Sequence, residues 1–140
     1  MKSNKLIIIL LSSLFLFACE TTSTAGTQPI TLDKIQHQWV LTKVDDQVID
    51  PAINSTFNIS TENKASGNLA CNLFFGEVSV QDNKLKIAKM GSTRKMCQTQ
   101  AMQIESSITS VLTDWSEVAI LDKTLTLVGA SHQLTYQLNE

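Results

Sequence analysis

Hydrophobic and polar residues alternate along most of the chain beyond residue 36, with the period of two that is typical of half-buried β-strands. Between residues 53 and 60, for example, Ile53, Phe57 and Ile59 fall on one face and polar residues fall on the other. The pattern predicts short strands over residues 37–44, 47–49, 53–60, 65–70, 77–80, 84–87 with an extension over 89–94, 117–121, 124–128 and 134–138. These strands predict a mainly β (α+β) fold, a small antiparallel β-meander that curls into a barrel-like domain to protect its edges.

The period changes to that of a helix between residues 98 and 112. Apolar residues recur there at helical spacing, at Ala101, Ile104, Ile108, Val111 and Leu112. The stripe predicts one amphipathic helix that packs on the core and covers one opening of the barrel. The side chains left to face water are those of Gln103, Glu105, Ser106 and Thr109. Residues 30–35 predict a short helical turn or an irregular lead-in.

The amino terminus is predicted to be a targeting segment that lies outside the fold. Lys2 and Lys5 precede an apolar run over residues 6–18, and this run is shorter than the roughly 20 residues that a membrane-spanning helix needs. Residues 16–19 end in Ala18-Cys19 and resemble a bacterial lipobox, in which the cysteine becomes lipidated. Residues 1–18 are therefore predicted to be a lipoprotein signal peptide and Cys19 the lipidation site. The alternative is an ordinary secretory signal, cut near Ala18 or Ala25.

The residues after Cys19 predict a flexible tether and a location in the cell. Residues 19–30 are rich in Thr, Ser, Ala and Gly, which is typical of a flexible linker, and residues 31–140 form the predicted domain. Glu20, rather than Asp, follows the cysteine, which favours sorting to the outer membrane. The predicted location is thus the outer membrane, with a lipid-anchored domain that faces the periplasm.

Charge and missing motifs exclude several classes of function. Without Lys2 and Lys5 the chain keeps nine basic and thirteen acidic residues, a net charge of −4 that disfavours nucleic-acid binding. The sequence has no GxSxG, HExxH or phosphate-binding glycine loop. His37 and His132 are far apart in the chain, and the acidic residues of 45–50 are typical of a turn. We therefore expect no enzyme, no cofactor and no metal site.

Two segments contain the cysteines of the domain. Residues 66–76 include Cys71 and the adjacent Phe74 and Phe75, and residues 93–97 end at Cys97. In an oxidising compartment an even pair of cysteines is most simply a disulfide, and closing this loop would stabilise the fold by about 3 kcal/mol. The alternative is a pair of buried free thiols.

The order of these motifs resembles the META domain family of HslJ-like envelope lipoproteins. The residues that carry the resemblance are Trp39 and Leu41, Phe57, Ser66-Gly67, Cys71-Asn72, Gly76, Thr93, Met96-Cys97, Leu125-Thr126-Leu127 and 134–138. The resemblance covers residues 32–138. It implies a small β-rich domain, linked to stress tolerance and without an established catalytic activity.

The chain departs from the family pattern at two positions. Ala70 stands where the family has glycine, which predicts that the backbone there does not need a left-handed conformation. Lys95 stands where a small residue is common, which predicts that its side chain points to solvent.

The segments around the cysteines also form a candidate interaction loop. Its residues are Asn72, Phe74, Phe75, Arg94 and Lys95. Phe74 and Phe75 cannot both face inward in an extended chain, so one is expected to be exposed. Asn72 is expected to form an Asx-type turn, with a ligand contact as the alternative. Both tryptophans, Trp39 and Trp115, are expected to anchor the core.

Two functions remain open at this point. The first is a non-catalytic envelope lipoprotein that binds another envelope protein or serves stress tolerance. The second is a small β-barrel that binds an apolar ligand or acyl chain.

Overall fold

The computed structural model describes residues 29–140, which form one closed antiparallel barrel with two helices. The elements are α1 Leu32–Ile35, β1 Gln38–Val44, β2 Gln47–Val48, β3 Ser55–Ile59, β4 Lys64–Leu69, β5 Leu73–Gln81, β6 Lys84–Ser92, α2 Thr99–Thr113, β7 Ser116–Leu121, β8 Thr124–Val128 and β9 Gln133–Leu138. The predicted leader, the lipidation site Cys19 and most of the tether lie outside the described residues.

The barrel closes because β1 pairs with both β3 and β9. Eight strands, β1 and β3–β9, form the ring, and β2 extends the edge of β1 through a short hairpin. The predicted fold class is therefore confirmed. The pairing of β6 with β7 is short and involves only Lys84 and Leu85 of β6.

Helix α2 packs against β4, β6 and β9. Its buried residues are Ile108, Val111 and Leu112, which belong to the predicted apolar stripe. The helix thus contributes its stripe to the same core that the strands enclose, and this packing supplies most of its stability.

Aromatic side chains fill the centre of the barrel. The ring of Phe57 lies 6.3 Å from that of Phe74 and 5.8 Å from that of Tyr136, measured between centroids. Trp39 is buried beside them, and its Nε1–H donates to the carbonyl oxygen of Ile35 at 3.1 Å. Burial raises the pKa of the Tyr136 hydroxyl far above its ordinary value.

The expectation that Trp115 anchors the core is wrong, because 39% of this residue is exposed. The next residue, Ser116, is fully buried and its hydroxyl donates to the carbonyl oxygen of Val111 at 2.7 Å. Successive residues of an extended chain face opposite sides, so an inward Ser116 turns Trp115 outward.

Strand β5 begins at Leu73, four residues earlier than the strand predicted over residues 77–80. A turn of three residues therefore joins it to β4, and the Leu69 N–H closes this turn by donating to the carbonyl oxygen of Asn72 at 2.7 Å. Ala70 has a φ of 95° in this turn. The prediction that Ala70 avoids a positive φ is wrong, because so short a connection requires one.

We predict that Ala70→Gly stabilises the domain by about 0.5–1 kcal/mol, because glycine adopts a positive φ without a steric penalty. Urea unfolding of the two proteins measures the difference. Ala88→Gly, in the middle of β6, is the matched control and should destabilise. Equal losses of stability in both variants would contradict the assignment of strain to Ala70.

Candidate functional site

A disulfide joins the β4–β5 turn to the segment that precedes α2. Cys71 and Cys97 are bonded across a sequence separation of 26 residues, and their Cα atoms are 5.9 Å apart. Cys71 is buried, whereas Cys97 is exposed. The predicted disulfide is confirmed, and it brings the two cysteine-containing segments together.

The side chain of Asn72 holds the same two segments together by hydrogen bonds. Its Oδ1 accepts from the Lys95 N–H at 2.6 Å and from the Thr93 hydroxyl at 2.9 Å. Its Nδ2 donates to the Lys95 carbonyl oxygen at 3.3 Å. Asn72 is 3% exposed, so these bonds replace water that the amide has lost.

The structural interpretation of Asn72 holds, but the expected Asx-type turn belongs to another residue. The Asn68 Oδ1 accepts from the Ala70 N–H at 3.0 Å, two residues on. The bonds of the Asn72 side chain reach 21 to 33 residues along the chain instead. Sequence reasoning could not assign these partners because they are distant in sequence.

Glu105 of α2 completes the network, although its helical position was predicted to face water. The Asn72 N–H donates to Glu105 Oε2 at 2.8 Å, and Asn72 Nδ2 lies 2.9 Å from Oε1. Glu105 as a whole is half-buried. The signal that could have found it is its spacing, because Glu105 lies four residues after Ala101 and three before Ile108, within the apolar stripe.

The two phenylalanines of the candidate loop face opposite sides of β5, as predicted. Phe74 is 3% exposed and packs in the core, whereas Phe75 is 66% exposed. Gly91 pairs with Phe75 on β6, and a Cβ there would lie only 2.7 Å from Cζ of the Phe75 ring. The ring therefore lies over the bare backbone of Gly91.

Burial divides the candidate interaction loop into two groups. Asn72 and Phe74 are buried in the domain, so their side chains serve the fold. Phe75, Arg94 and Lys95 are exposed, and the solvent-facing prediction for Lys95 agrees with the structure.

Two exposed apolar residues that were not predicted to belong to the interaction loop, Leu73 and Met96, lie on the same two segments. Leu73 lies two residues before Phe75 on the same face of β5, and Met96 follows Lys95 directly. More than half of each residue is exposed. We call Leu73, Phe75 and Met96 the apolar rim.

A groove of about 450 Å³ lies beside the Phe75 ring, on the outer surface formed by β4, β5 and Lys89 of β6. On its far side Lys64 Nζ lies 3.3 Å from Glu77 Oε1, and Lys89 Nζ lies 3.2 Å from Glu77 Oε2. Hydrogen bonds and charge from Lys89 and then Lys64 hold the pKa of Glu77 below its ordinary value. The groove therefore combines an aromatic wall with two lysines that share one carboxylate.

The histidines do not form a shared site. His132 Nδ1 lies 3.1 Å from Asp45 Oδ2, between the β8–β9 and β1–β2 turns, while His37 packs edge-on against Trp39. The Gln133 N–H and His132 together lower the pKa of Asp45. Within residues 29–140, no group of three or more His, Cys, Asp or Glu side chains is placed to hold a metal ion.

Comparison with known proteins identifies relatives of this chain. The model of the META domain matches residues 30–140. The heat shock protein HslJ of Escherichia coli (strain K12) is 27% identical over 128 residues, which cover 90% of this chain and 89% of HslJ.

Two solved structures share the fold. One NMR structure is 27% identical, has a TM-score of 0.70, and covers 78% of this chain and 95% of its own. An NMR structure of a protein from Burkholderia xenovorans has a TM-score of 0.64 over 99% of both chains. It is 21% identical and therefore supports the fold alone. None of the helices in residues 29–140 has the length and apolar character needed to cross a bilayer.

We predict that Asn72→Asp destabilises the domain by about 2–4 kcal/mol at neutral pH, because it sets a second carboxylate against Glu105. Adding Glu105→Gln should recover most of this loss, because the glutamine amide at position 105 can then donate to the carboxylate at position 72. Denaturant unfolding of the two single variants and the double variant measures the coupling. Additive losses would show that the contact between residues 72 and 105 does not hold the site together.

Proposed function

Because the chain belongs to the META domain family, we propose that it is a non-catalytic envelope lipoprotein whose barrel binds another envelope protein. Cys19 at the end of the apolar leader supports the lipid anchor, and Glu20 supports sorting to the outer membrane. The absence of nucleophile-elbow and HExxH motifs from the sequence supports a binding role over catalysis. The name of the related heat shock protein HslJ supports a role in stress tolerance.

The observation that carries the proposal is the apolar rim, which the fold holds out to solvent. Exposed apolar residues that cluster, rather than occur singly, are typical of protein interaction sites. Leu73 and Phe75 share one face of β5, and the Cys71–Cys97 disulfide and the Asn72 network fix the segment that contains Met96. A surface ordered in this way loses little conformational entropy on binding.

The apolar-ligand alternative has less support. A barrel that binds an acyl chain needs an interior that its own side chains leave partly empty. Here Trp39, Phe57 and Tyr136 are fully or almost fully buried, and their rings occupy the centre. We therefore place the binding surface outside the barrel.

The lipid anchor makes one prediction. Cys19→Ser should remove the acylated cysteine and release the protein from the membrane fraction into the soluble fraction, since the anchor, rather than the domain, provides the membrane affinity. Fractionation of cells, with metabolic labelling by a tritiated fatty acid, measures both effects. Ser23→Ala, in the predicted tether, is the matched control and should leave both unchanged. Membrane retention of Cys19→Ser, or labelling that persists in it, would contradict lipidation at Cys19.

The protein partner makes a second prediction. Crosslinking in cells, followed by purification in detergent and mass spectrometry, should recover one envelope protein in near-stoichiometric amount. Phe75→Ala should reduce its recovery at least fivefold, because aromatic anchors dominate interface energies. Leu121→Ala removes an apolar side chain of similar exposure from β7 and should leave recovery unchanged. Equal recovery with Phe75→Ala, or no partner in normal or heat-stressed cells, would contradict the proposal.

A further inference from the structure

Basic residues are concentrated in one stretch of this otherwise acidic chain. Five of them lie between residues 84 and 95, at Lys84, Lys86, Lys89, Arg94 and Lys95. No acidic residue occurs between Asp82 and Glu105. Since β6 pairs with β5, these charges border the strand that presents the apolar rim.

The Phe75 groove takes Lys89 from this stretch and Lys64 from β4. Ser66 and Gly76 line the groove between the Phe75 ring and the ion pairs that Glu77 forms with Lys64 and Lys89. Lys64 and Lys89 each bond one oxygen of Glu77. An ammonium group has three N–H donors, so each lysine keeps donors for a further acceptor. With Glu77 ionised, the two lysines and the one carboxylate together have a net positive charge.

A bulge in β6 places Lys89 beside Glu77, at the edge of the groove. Phe75 pairs with Gly91 and Glu77 pairs with Ala88, so two residues of β6, Lys89 and Met90, lie opposite Gly76 alone. Lys89 has a φ of 51° and is exposed. Bulges of this kind redirect a side chain, and here the redirected side chain reaches the same carboxylate as Lys64.

We propose that the groove binds an acidic segment of a protein partner. Two carboxylates of the segment bond Lys64 and Lys89, each on the side away from Glu77, and a neighbouring apolar side chain packs on the Phe75 ring. This proposal rests on the proposed function and assigns the chemistry of the partner.

The shape of the site favours a polypeptide over an anionic membrane surface. The groove is a half-open depression bounded by one aromatic ring and three charged side chains, whereas a bilayer presents a broad layer of phosphates. Glu77 stands between the two lysines and repels such a layer, while separate carboxylates of one flexible segment can approach each lysine from the side away from Glu77. The exposed aromatic wall supplies apolar contact next to the charge, as an acidic segment with interspersed apolar residues requires.

Binding of a labelled hexapeptide, Glu-Leu-Glu-Phe-Glu-Leu, to the full chain purified in non-ionic detergent tests the proposal by fluorescence anisotropy. The double variant Lys64→Gln/Lys89→Gln should raise the Kd about tenfold, as expected for the loss of two exposed charge pairs. The control Lys34→Gln/Lys43→Gln changes the net charge equally and should change the Kd less than twofold. Replacing each Glu of the peptide by Gln should weaken binding to the wild-type chain by a similar factor. Both double variants should fold, because all four lysines are exposed.

Equal Kd values for the two double variants, or equal affinity of the wild-type chain for the Glu and Gln peptides, would overturn the assignment. So would a result in which Lys64→Gln/Lys89→Gln weakens binding to phosphatidylglycerol vesicles but does not weaken binding to the peptide. The crosslinking experiment separates this inference from the proposed function. A partner that is lost with Phe75→Ala but retained with Lys64→Gln/Lys89→Gln leaves the protein-binding role intact and contradicts the acidic segment. If the peptide binds in a charge-dependent way but no cellular partner is found, the protein-binding role is contradicted. The preference of the groove for carboxylates would then still hold.

Discussion

The hydrogen bonds of the buried Asn72 amide connect three parts of the chain that are far apart in sequence. They join the β4–β5 turn to residues 93–95 and, through Glu105, to helix α2. A buried amide is expensive to leave without partners, so each of the three parts is held where the amide can use it. The position of β5, the path of the chain into α2 and the exposed surface beside the disulfide all depend on this residue.

The disulfide and the Asn72 network act on the same segments through different states of the protein. The Cys71–Cys97 bond limits the freedom of the unfolded chain, which favours folding without specifying a direction for any side chain. The amide bonds act in the folded state and fix the side chain of Thr93 and the backbone of Lys95. The N–H and C=O of Lys95 both bond the buried Asn72 amide, while the side chains of Lys95 and Met96 are exposed. Covalent and polar constraints together thus produce a rigid surface from a segment without regular secondary structure.

Local patterns predicted the elements of the fold, and long-range contacts decided the details of the site. Alternation along β3 and β9 and the stripe of α2 depend only on which side of one element is buried, so the sequence contains that information. The disulfide was predictable because only two cysteines lie in the domain. By contrast, Glu105 was assigned to water because its partner lies 33 residues away. Ala70 was misjudged because its positive φ follows from the length of the β4–β5 turn, and that length depends on where β5 begins.

The bulge at Lys89 shows why the groove in particular could not be predicted. In a regular strand, pairing of Glu77 with Ala88 would place residue 89 on the inner face, where a lysine could not be accommodated without a partner. The extra residue and the positive φ turn it outward, beside Glu77. Gly91 then supplies the bare backbone on which the Phe75 ring rests. The placement of the Phe75 ring on Gly91 and the placement of Lys89 beside Glu77 therefore share one cause, a local departure of β6 from regular pairing. A departure of this kind costs ladder hydrogen bonds, and in folded proteins such features are typical of sites that position side chains for binding.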